Sequence, residues 1–238
     1  MSTVPEDHFG EAVAARYDDD TVMFDPAVVD PAVDFLAELA GDGTALELGI
    51  GTGRIALPLS ARGVRVAGID LSEAMVARLR AKPGAEEIEV TIGDFATTRV
   101  AGTFSLVYLV FNTIGNLTTQ DEQVACFENA AAHLETGGCF VIELGIGRGE
   151  ALEVFDLSDT HVGVDEYDAA TQRLVSHHFS LVDGRWERNS LPFRRVPPGE
   201  LDLMARIAGL RLRERWGGWR REPFTSESTK HVSVWEKP

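Results

Sequence analysis

Positive charge, cysteine and long apolar runs are all scarce in this chain of 238 residues. Lys plus Arg number 22 against 38 Asp plus Glu, a formal charge of −16. An acid excess of that size repels both nucleic-acid phosphates and anionic membrane surfaces, so neither is an expected partner. The two cysteines, Cys126 and Cys139, supply neither a disulfide framework nor a zinc quartet and read as buried free thiols. The longest nearly continuous apolar stretch, 104–111, falls far short of the ~20 residues of a membrane span. Residues 1–10 show no basic start and no apolar run, so the expected location is the cytoplasm. What is present is a 44% share of hydrophobic residues, enough for a full core, in a length suited to one α/β domain with a cap.

Strands alternating with helices predict a parallel sheet covered on both faces. Strands are expected over 44–48, 64–69, 88–92, 104–111 and 139–144. Ser72 stands at a helix N-cap, and a helix over 119–134 closes at Gly137-Gly138. Between 161 and 195 three runs of period two, with an Asp183-Gly184 turn, predict a small antiparallel sheet. A helix over 200–208 and a strand pair, 210–216 and 231–235, close the chain. The expected organisation is a helical cap over 1–43, a binding core over 44–145, an antiparallel insert over 146–197 and the closing elements over 198–238. Cap and insert have no place in the parallel sheet and are expected to fold over its carboxyl edge as a lid.

The strongest chemical signal is Glu47-Leu48-Gly49-Ile50-Gly51-Thr52-Gly53. A strand running into glycines lets backbone approach a ligand, and the next helix offers its positive N-terminus. A dinucleotide fingerprint wants its third glycine where Arg54 stands, and the P-loop lysine is missing. Asp70 ends the second strand, where a carboxylate grips both hydroxyls of a ribose. Asp94-Phe95 ends the third, offering an acid to an exocyclic amine and a ring to a base. The fourth ends in Phe111-Asn112-Thr113-Ile114-Gly115-Asn116, so four strand ends aim polar groups at one crevice.

These motifs resemble the class I S-adenosylmethionine-dependent methyltransferases, whose pattern of acids is met by Glu47, Asp70 and Asp94. The resemblance implies a Rossmann-like seven-stranded sheet and S-adenosylmethionine as cofactor. It further implies that Gly49 and Gly51 line the methionine part with Gly53 also in the donor site, that Asp70 holds the ribose, and that Asp94 and Phe95 frame the adenine. Leu71, Met75, Phe111 and the lid residue Tyr17 complete the expected donor site, with a plain core role as the alternative for Met75. Within the family the chain looks most like bacterial amino-sugar N-methyltransferases of natural-product metabolism, although Asn116 stands where such enzymes carry His or Tyr.

The absence of an Asn-Pro-Pro-Tyr or Asp-Pro-Pro-Tyr run after the fourth strand argues against nucleic-acid substrates. Asn112 and Glu143 are a weak version of the carboxylate pair of a metal-dependent site, so no metal is expected. For the acceptor, Glu143 is the first candidate proton acceptor, with Tyr17 reaching over from the lid. His177 alternates with Val175, Phe179 and Leu181, and that apolar face is the expected crevice side. Asn112, Asn116, His177 and Arg195 are the expected substrate contacts, Arg195 beside Arg194 as a clamp for a nucleotide-sugar pyrophosphate. The Asp18-Asp19-Asp20 run reads as a solvated helix end, and His133 as a helix cap. The expected activity is methylation of a small molecule, at nitrogen, with a homodimer left open. Methylation at oxygen, a nicotinamide-type oxidoreductase and a non-catalytic nucleoside-binding relic are the alternatives.

Overall fold

The computed structural model describes residues 9–19 and 23–238. Helices α1 (Glu11–Tyr17) and α2 (Pro26–Ala40) precede the sheet. The first half of the sheet then runs β1 (Thr44–Leu48), α3 (Ala56–Ala61), β2 (Arg65–Asp70), α4 (Glu73–Arg80), β3 (Glu89–Ile92) and β4 (Phe104–Leu109). Helix α5 (Gln120–His133) leads into β5 (Leu134–Gly145). An insert of β6 (Leu152–Leu157), β7 (His161–Asp168), β8 (Arg173–Val182) and β9 (Arg185–Arg194) follows. Helix α6 (Pro198–Ile207) and the pair β10 (Arg211–Trp216) and β11 (Lys230–Glu236) complete the chain.

Local chemistry sets the helix starts. The Asp25 side chain accepts from the Ala27 N–H at 2.8 Å, with Pro26 supplying the first helical φ of α2. Ser72 caps α4 through Met75 N–H at 3.1 Å. Thr119 and Glu122 form a reciprocal capping box on α5, at 3.2 and 3.0 Å.

The seven strands lie in the order β10-β11-β5-β4-β1-β2-β3, and all run in one direction except β11, which is antiparallel to both its neighbours. This is the α/β class read from the sequence. Side chains of β4 alternate between two buried layers. Leu106 and Tyr108 pack with α2 and α3, while Val107 and Leu109 pack with α5 and α6. Phe127, Phe140 and Trp235 lock the second layer through ring centroids 5.1–6.2 Å apart. Strand order reverses between β1 and β4, and a crevice at their carboxyl ends is the place such sheets offer a ligand.

The insert is a separate antiparallel sheet in the order β6-β7-β8-β9, one strand more than the sequence led us to expect. Among the described residues no helix is long and apolar enough to cross a membrane.

Candidate active site

Backbone turns build the floor of the crevice. Gly49 and Ile50 N–H both donate to the Ile69 carbonyl, at 2.8 and 3.1 Å, which pins the loop after β1 to β2. Gly51 (φ 55°) and Gly53 (φ 82°) are left-handed, a conformation that side chains resist. A Cβ at Gly53 would drive into Leu79, whereas at Gly51 only the Met75 methyl comes within range, at 3.5 Å. The flank of Gly51 is therefore open, and a ligand can approach its backbone.

Asp70 closes this turn. Its Oδ2 accepts from Gly51 N–H at 2.7 Å and its Oδ1 from Ser72 N–H at 2.8 Å. Burial pushes its carboxyl up from the ordinary aspartate value, while those two N–H groups pull it down. Each oxygen keeps a lone pair for a sugar hydroxyl. Leu71 beside it is 57% exposed and Phe111 across the crevice 44%, apolar surface that a flat base would cover. Asp94 Oδ1 accepts from Ala96 N–H at 2.8 Å, and the Phe95 ring lies beside Gly49.

Two expected donor residues sit below the crevice. Met75 is buried against the underside of Gly51. Glu47 is buried too, and the Tyr108 hydroxyl donates to its Oε2 at 2.9 Å. Desolvation pushes the Glu47 carboxyl up to about 8, against the Tyr108 bond that lowers it.

The N-terminal helix reaches this loop. Asp18 accepts from the Thr52 hydroxyl at 2.6 Å and pairs with Lys82 Nζ at 2.6 Å, and Lys82 also donates to the Thr52 carbonyl. Asp18 is thus a clip between the end of α1 and the glycine loop, which corrects its reading as a solvated helix end; Asp20 and residues 1–8 lie outside the described residues. Tyr17 is half-buried, and its hydroxyl is pushed up by burial, pulled down by Arg54 and raised by Glu47, Asp70 and Asp18. The Arg54 guanidinium stacks over the Phe111 ring at 4.7 Å and donates to the Met23 carbonyl at 3.4 Å. It is the cation placed to meet a carboxylate in this crevice. Sequence reasoning used Arg54 only to exclude a dinucleotide; its place directly after the last glycine was the available signal.

On the acceptor side, Phe111 (φ 58°) and Asn112 (φ 63°) form a left-handed pair after β4. Glu143 holds them. Its Oε2 accepts from Phe111 N–H at 3.2 Å, and its Oε1 from Trp219 Nε1 at 3.0 Å and Lys230 Nζ at 3.4 Å. Asn112 Oδ1 accepts from Gly145 N–H at 2.6 Å, tying β4 to β5. Asn116 is half-buried at the end of the turn Thr113–Asn116. His133 is buried between Asn129 O and Val100 N–H, at 2.9 and 3.0 Å, a helix-end role.

The insert presents two faces. Register places Leu152, Val154, Leu157, Leu181 and Trp186 on one, and these are 38–78% exposed. His177 lies on that outer face, bonded to Ser190 Oγ at 2.8 Å. The apolar face is therefore the outer one, which reverses the expectation. The inner face carries Ser176 and Gly163, both buried, with His161, Asp165 and His178. Arg195 is there too, its ring-stacking partner Tyr167 at 4.5 Å and the carboxylates of Asp165 and Glu153 at 3.7 and 3.8 Å. Arg194, its neighbour in sequence, is buried in an ion pair with Glu200 at 2.6 Å.

A methyltransferase domain family matches residues 45–138. Over 205 residues the chain is 31% identical to the cypemycin N-terminal methyltransferase of a Streptomyces species, covering 82% of this chain and 83% of that one. It is also 31% identical over 134 residues to the dTDP-3-amino-3,4,6-trideoxy-alpha-D-glucopyranose N,N-dimethyltransferase of Streptomyces venezuelae, 56% of this chain and 53% of that one. The fold superposes on the CcbJ methyltransferase of Streptomyces caelestis with a TM-score of 0.87 and 35% identity, covering 98% of each chain. The open flank of Gly51, the paired lone pairs of Asp70, the exposed apolar surface of Leu71 and the Arg54 cation over the half-covered Phe111 ring fit a nucleoside that carries an amino acid. The chain belongs to the S-adenosylmethionine-dependent methyltransferases.

Proposed function

We propose that this methyltransferase transfers the methyl group to an amine nitrogen of a small molecule of natural-product metabolism. The observation that carries this reading is the charge of the insert's inner face, where Glu153, Asp165 and Asp156 outnumber Arg195. Such a wall attracts a cationic acceptor and repels an anionic one. Kinship with an enzyme named for methylating the N-terminus of cypemycin supports it.

The bound donor supplies an activated methyl group on a sulfonium with a neutral leaving group. The protein's task is to align the acceptor and keep water out. Asp70 would hold the ribose hydroxyls, Arg54 the methionine carboxylate, and Phe111 with Leu71 the base. Gly49, Gly51 and Gly53 supply the close backbone approach, Asp94 and Phe95 frame the adenine edge, and Tyr17 closes over the crevice from the lid. Glu143 positions Phe111 and Asn112, and Asn112 with Asn116 borders the acceptor.

A nucleotide-linked amino sugar is the second reading, favoured by the likeness to the dTDP-sugar enzyme. In it Arg195 exchanges its two carboxylate neighbours for a diphosphate. Labelled methyl donor with a panel of amines, hydroxyls and carboxylates, read by mass spectrometry, tests the proposal; label found only on oxygen overturns it. Acceptors with and without a diphosphate, given to wild type and Arg195→Ala, test the second reading, which an unchanged preference rejects. Assembly as a homodimer is part of the proposal, supported by the exposed apolar outer face of the insert. Light scattering that returns a monomer mass would reject it.

A further inference from the structure

Four side chains of the insert that no part of the donor site uses form one hydrogen-bonded row. Asp156 Oδ2 lies 2.6 Å from His161 Nδ1, His161 Nε2 lies 3.1 Å from His178 Nδ1, and His178 Nε2 lies 3.3 Å from Ser176 Oγ. We propose that His178 is the proton acceptor for the amine, and that His161 and Asp156 carry the proton from it to solvent. This rests on the amine reading above and names the group that makes it work.

The row fixes its own tautomers. An ionised Asp156 only accepts, so His161 carries its hydrogen on Nδ1 and leaves Nε2 as an acceptor. His178 must then donate from Nδ1, which leaves the lone pair on Nε2. That lone pair points toward Ser176, which is 6% exposed on the inner face. At the other end the Asp156 side chain is 45% exposed, so the row runs from a covered surface to water. The Phe155 ring stands edge-on to His178 at 5.3 Å and holds its plane.

The charged and titratable groups acting on His178 are His161, Asp165 and Asp156 on its own face and His177 from the opposite one, with Arg195 3.7 Å from Asp165. Burial first, and His161 next, lower the His178 imidazole from its ordinary value, so it is neutral and able to accept at pH 7. On the same inner face, Glu153 Oε2, Asp165 Oδ1 and Arg195 Nη1 are buried with no hydrogen-bond partner. The carboxylates lie near Arg195, at 3.7 and 3.8 Å, yet beyond hydrogen-bond distance, so two acceptors and a donor keep hydrogen-bonding capacity that suits an ammonium with an oxygen next to it.

The step balances. The acceptor arrives as an ammonium and gives one proton to the Ser176 oxygen as that hydroxyl passes its own proton to His178 Nε2. The acceptor's freed lone pair attacks the methyl carbon while the carbon–sulfur bond breaks, and that electron pair leaves on a neutral thioether sulfur. The Nδ1 proton of His178 passes to His161 Nε2, Asp156 holds the resulting imidazolium, and a proton departs to water. The row also selects the acceptor. A free imidazole lies about 1.5 units below an α-amine but roughly 4 units below a lysine-like alkylamine, and the lowered His178 lies further below both. An amine weakened by electron-withdrawing neighbours, as in an α-amino group or an amino sugar, is the class it serves.

The test measures kcat against pH on a methylated amine for wild type, His178→Gln, His161→Asn and Asp156→Asn. Donor titration by calorimetry confirms that each variant is folded. His178→Gln is expected to lose about 10²-fold in kcat at pH 7 and to regain it about tenfold per pH unit up to the acceptor's own pKa. Added imidazole restores part of the rate at pH 7. His161→Asn and the exposed Asp156→Asn are expected to shift the same limb by smaller steps. An unchanged His178→Gln profile on an amine overturns the row and leaves the amine reading standing. Methylation of oxygen alone by wild type overturns both.

Discussion

Glu143→Gln separates a strut from a base. The carboxylate accepts from Phe111 N–H at 3.2 Å, Trp219 Nε1 at 3.0 Å and Lys230 Nζ at 3.4 Å, and its side chain is 15% exposed. These bonds hold two non-glycine residues in left-handed backbone, a conformation that costs about 1–2 kcal/mol per residue. A glutamine offers one oxygen, so either the Phe111 or the Trp219 N–H then faces an amide NH2. An N–H left unpaired costs about 1–3 kcal/mol. In a chain of this length each kcal/mol moves Tm by about 2–4 °C, so the melt should fall by roughly 2–12 °C. The Lys230 contact adds little, because that side chain is 48% exposed. Circular dichroism melts give the first number, and kcat across pH gives the second. The expected result is a lower Tm with a pH profile of unchanged shape. An unmoved Tm, together with a kcat loss of about 10²-fold or more and a lost alkaline or acid limb, would make Glu143 the base and refute the strut.

Asp70→Ala is expected to weaken S-adenosylmethionine by about 1–3 kcal/mol, roughly 5- to 150-fold by calorimetry, and Gly51→Val by more; unchanged affinity in folded protein would remove the ribose assignment. Asp18→Ala cuts both the Thr52 and Lys82 contacts of the lid, and should raise the donor Kd about 2- to 12-fold at low salt. The increment should shrink in 1 M salt, and equal affinity at both salts would show that the clip does not hold the lid. Glu47 is raised from 4.5 to about 8, so between those pH values the unfolded chain ionises it while the folded chain keeps its proton. Its contribution to stability therefore falls by about 1.4 kcal/mol per pH unit through that window and is flat above it. Denaturant titrations of wild type and Glu47→Gln should diverge accordingly as pH rises, and a pH-independent difference would refute the protonated carboxyl.

The sheet was legible because both its periodicities are clean. Strand β1 ends where the glycines begin, and the burial of Leu106, Val107, Tyr108 and Leu109 on alternate layers is the signature of a central parallel strand. The misses have local causes. Strand β4 stops at Leu109, before the expected Phe111, because Phe111 and Asn112 turn left-handed, a choice imposed by Glu143 from a strand 32 residues away in sequence. Strand β5 begins at Leu134, because a register shift between Phe104 and Leu106 on β4 lets the chain pass through Gly137 and stay paired. Strand β6 escaped notice because a bulge between Val154 and Asp156 breaks the period of two.

The same bulge explains why the site was half legible. Donor contacts follow from strand ends, which the sequence marks with Gly and Asp, and a residue at a strand end has no choice of face. Acceptor contacts depend on which face of a two-sided insert looks inward, and composition misleads there. In the main sheet apolar side chains mark the inside, because helices cover it. In the insert the polar set Asp165, Ser176 and His178 shares the more covered face and the apolar set is left outside, as the proposed polar acceptor would require. His177 and His178 are neighbours in sequence and land on opposite faces. The bulge then rotates Asp156 onto the inner side, opposite Gly163, within 2.6 Å of His161. Without that extra residue Asp156 would point outward beside Val154, and the histidine pair would have no carboxylate behind it. The irregularity that hid the strand is what completes the row.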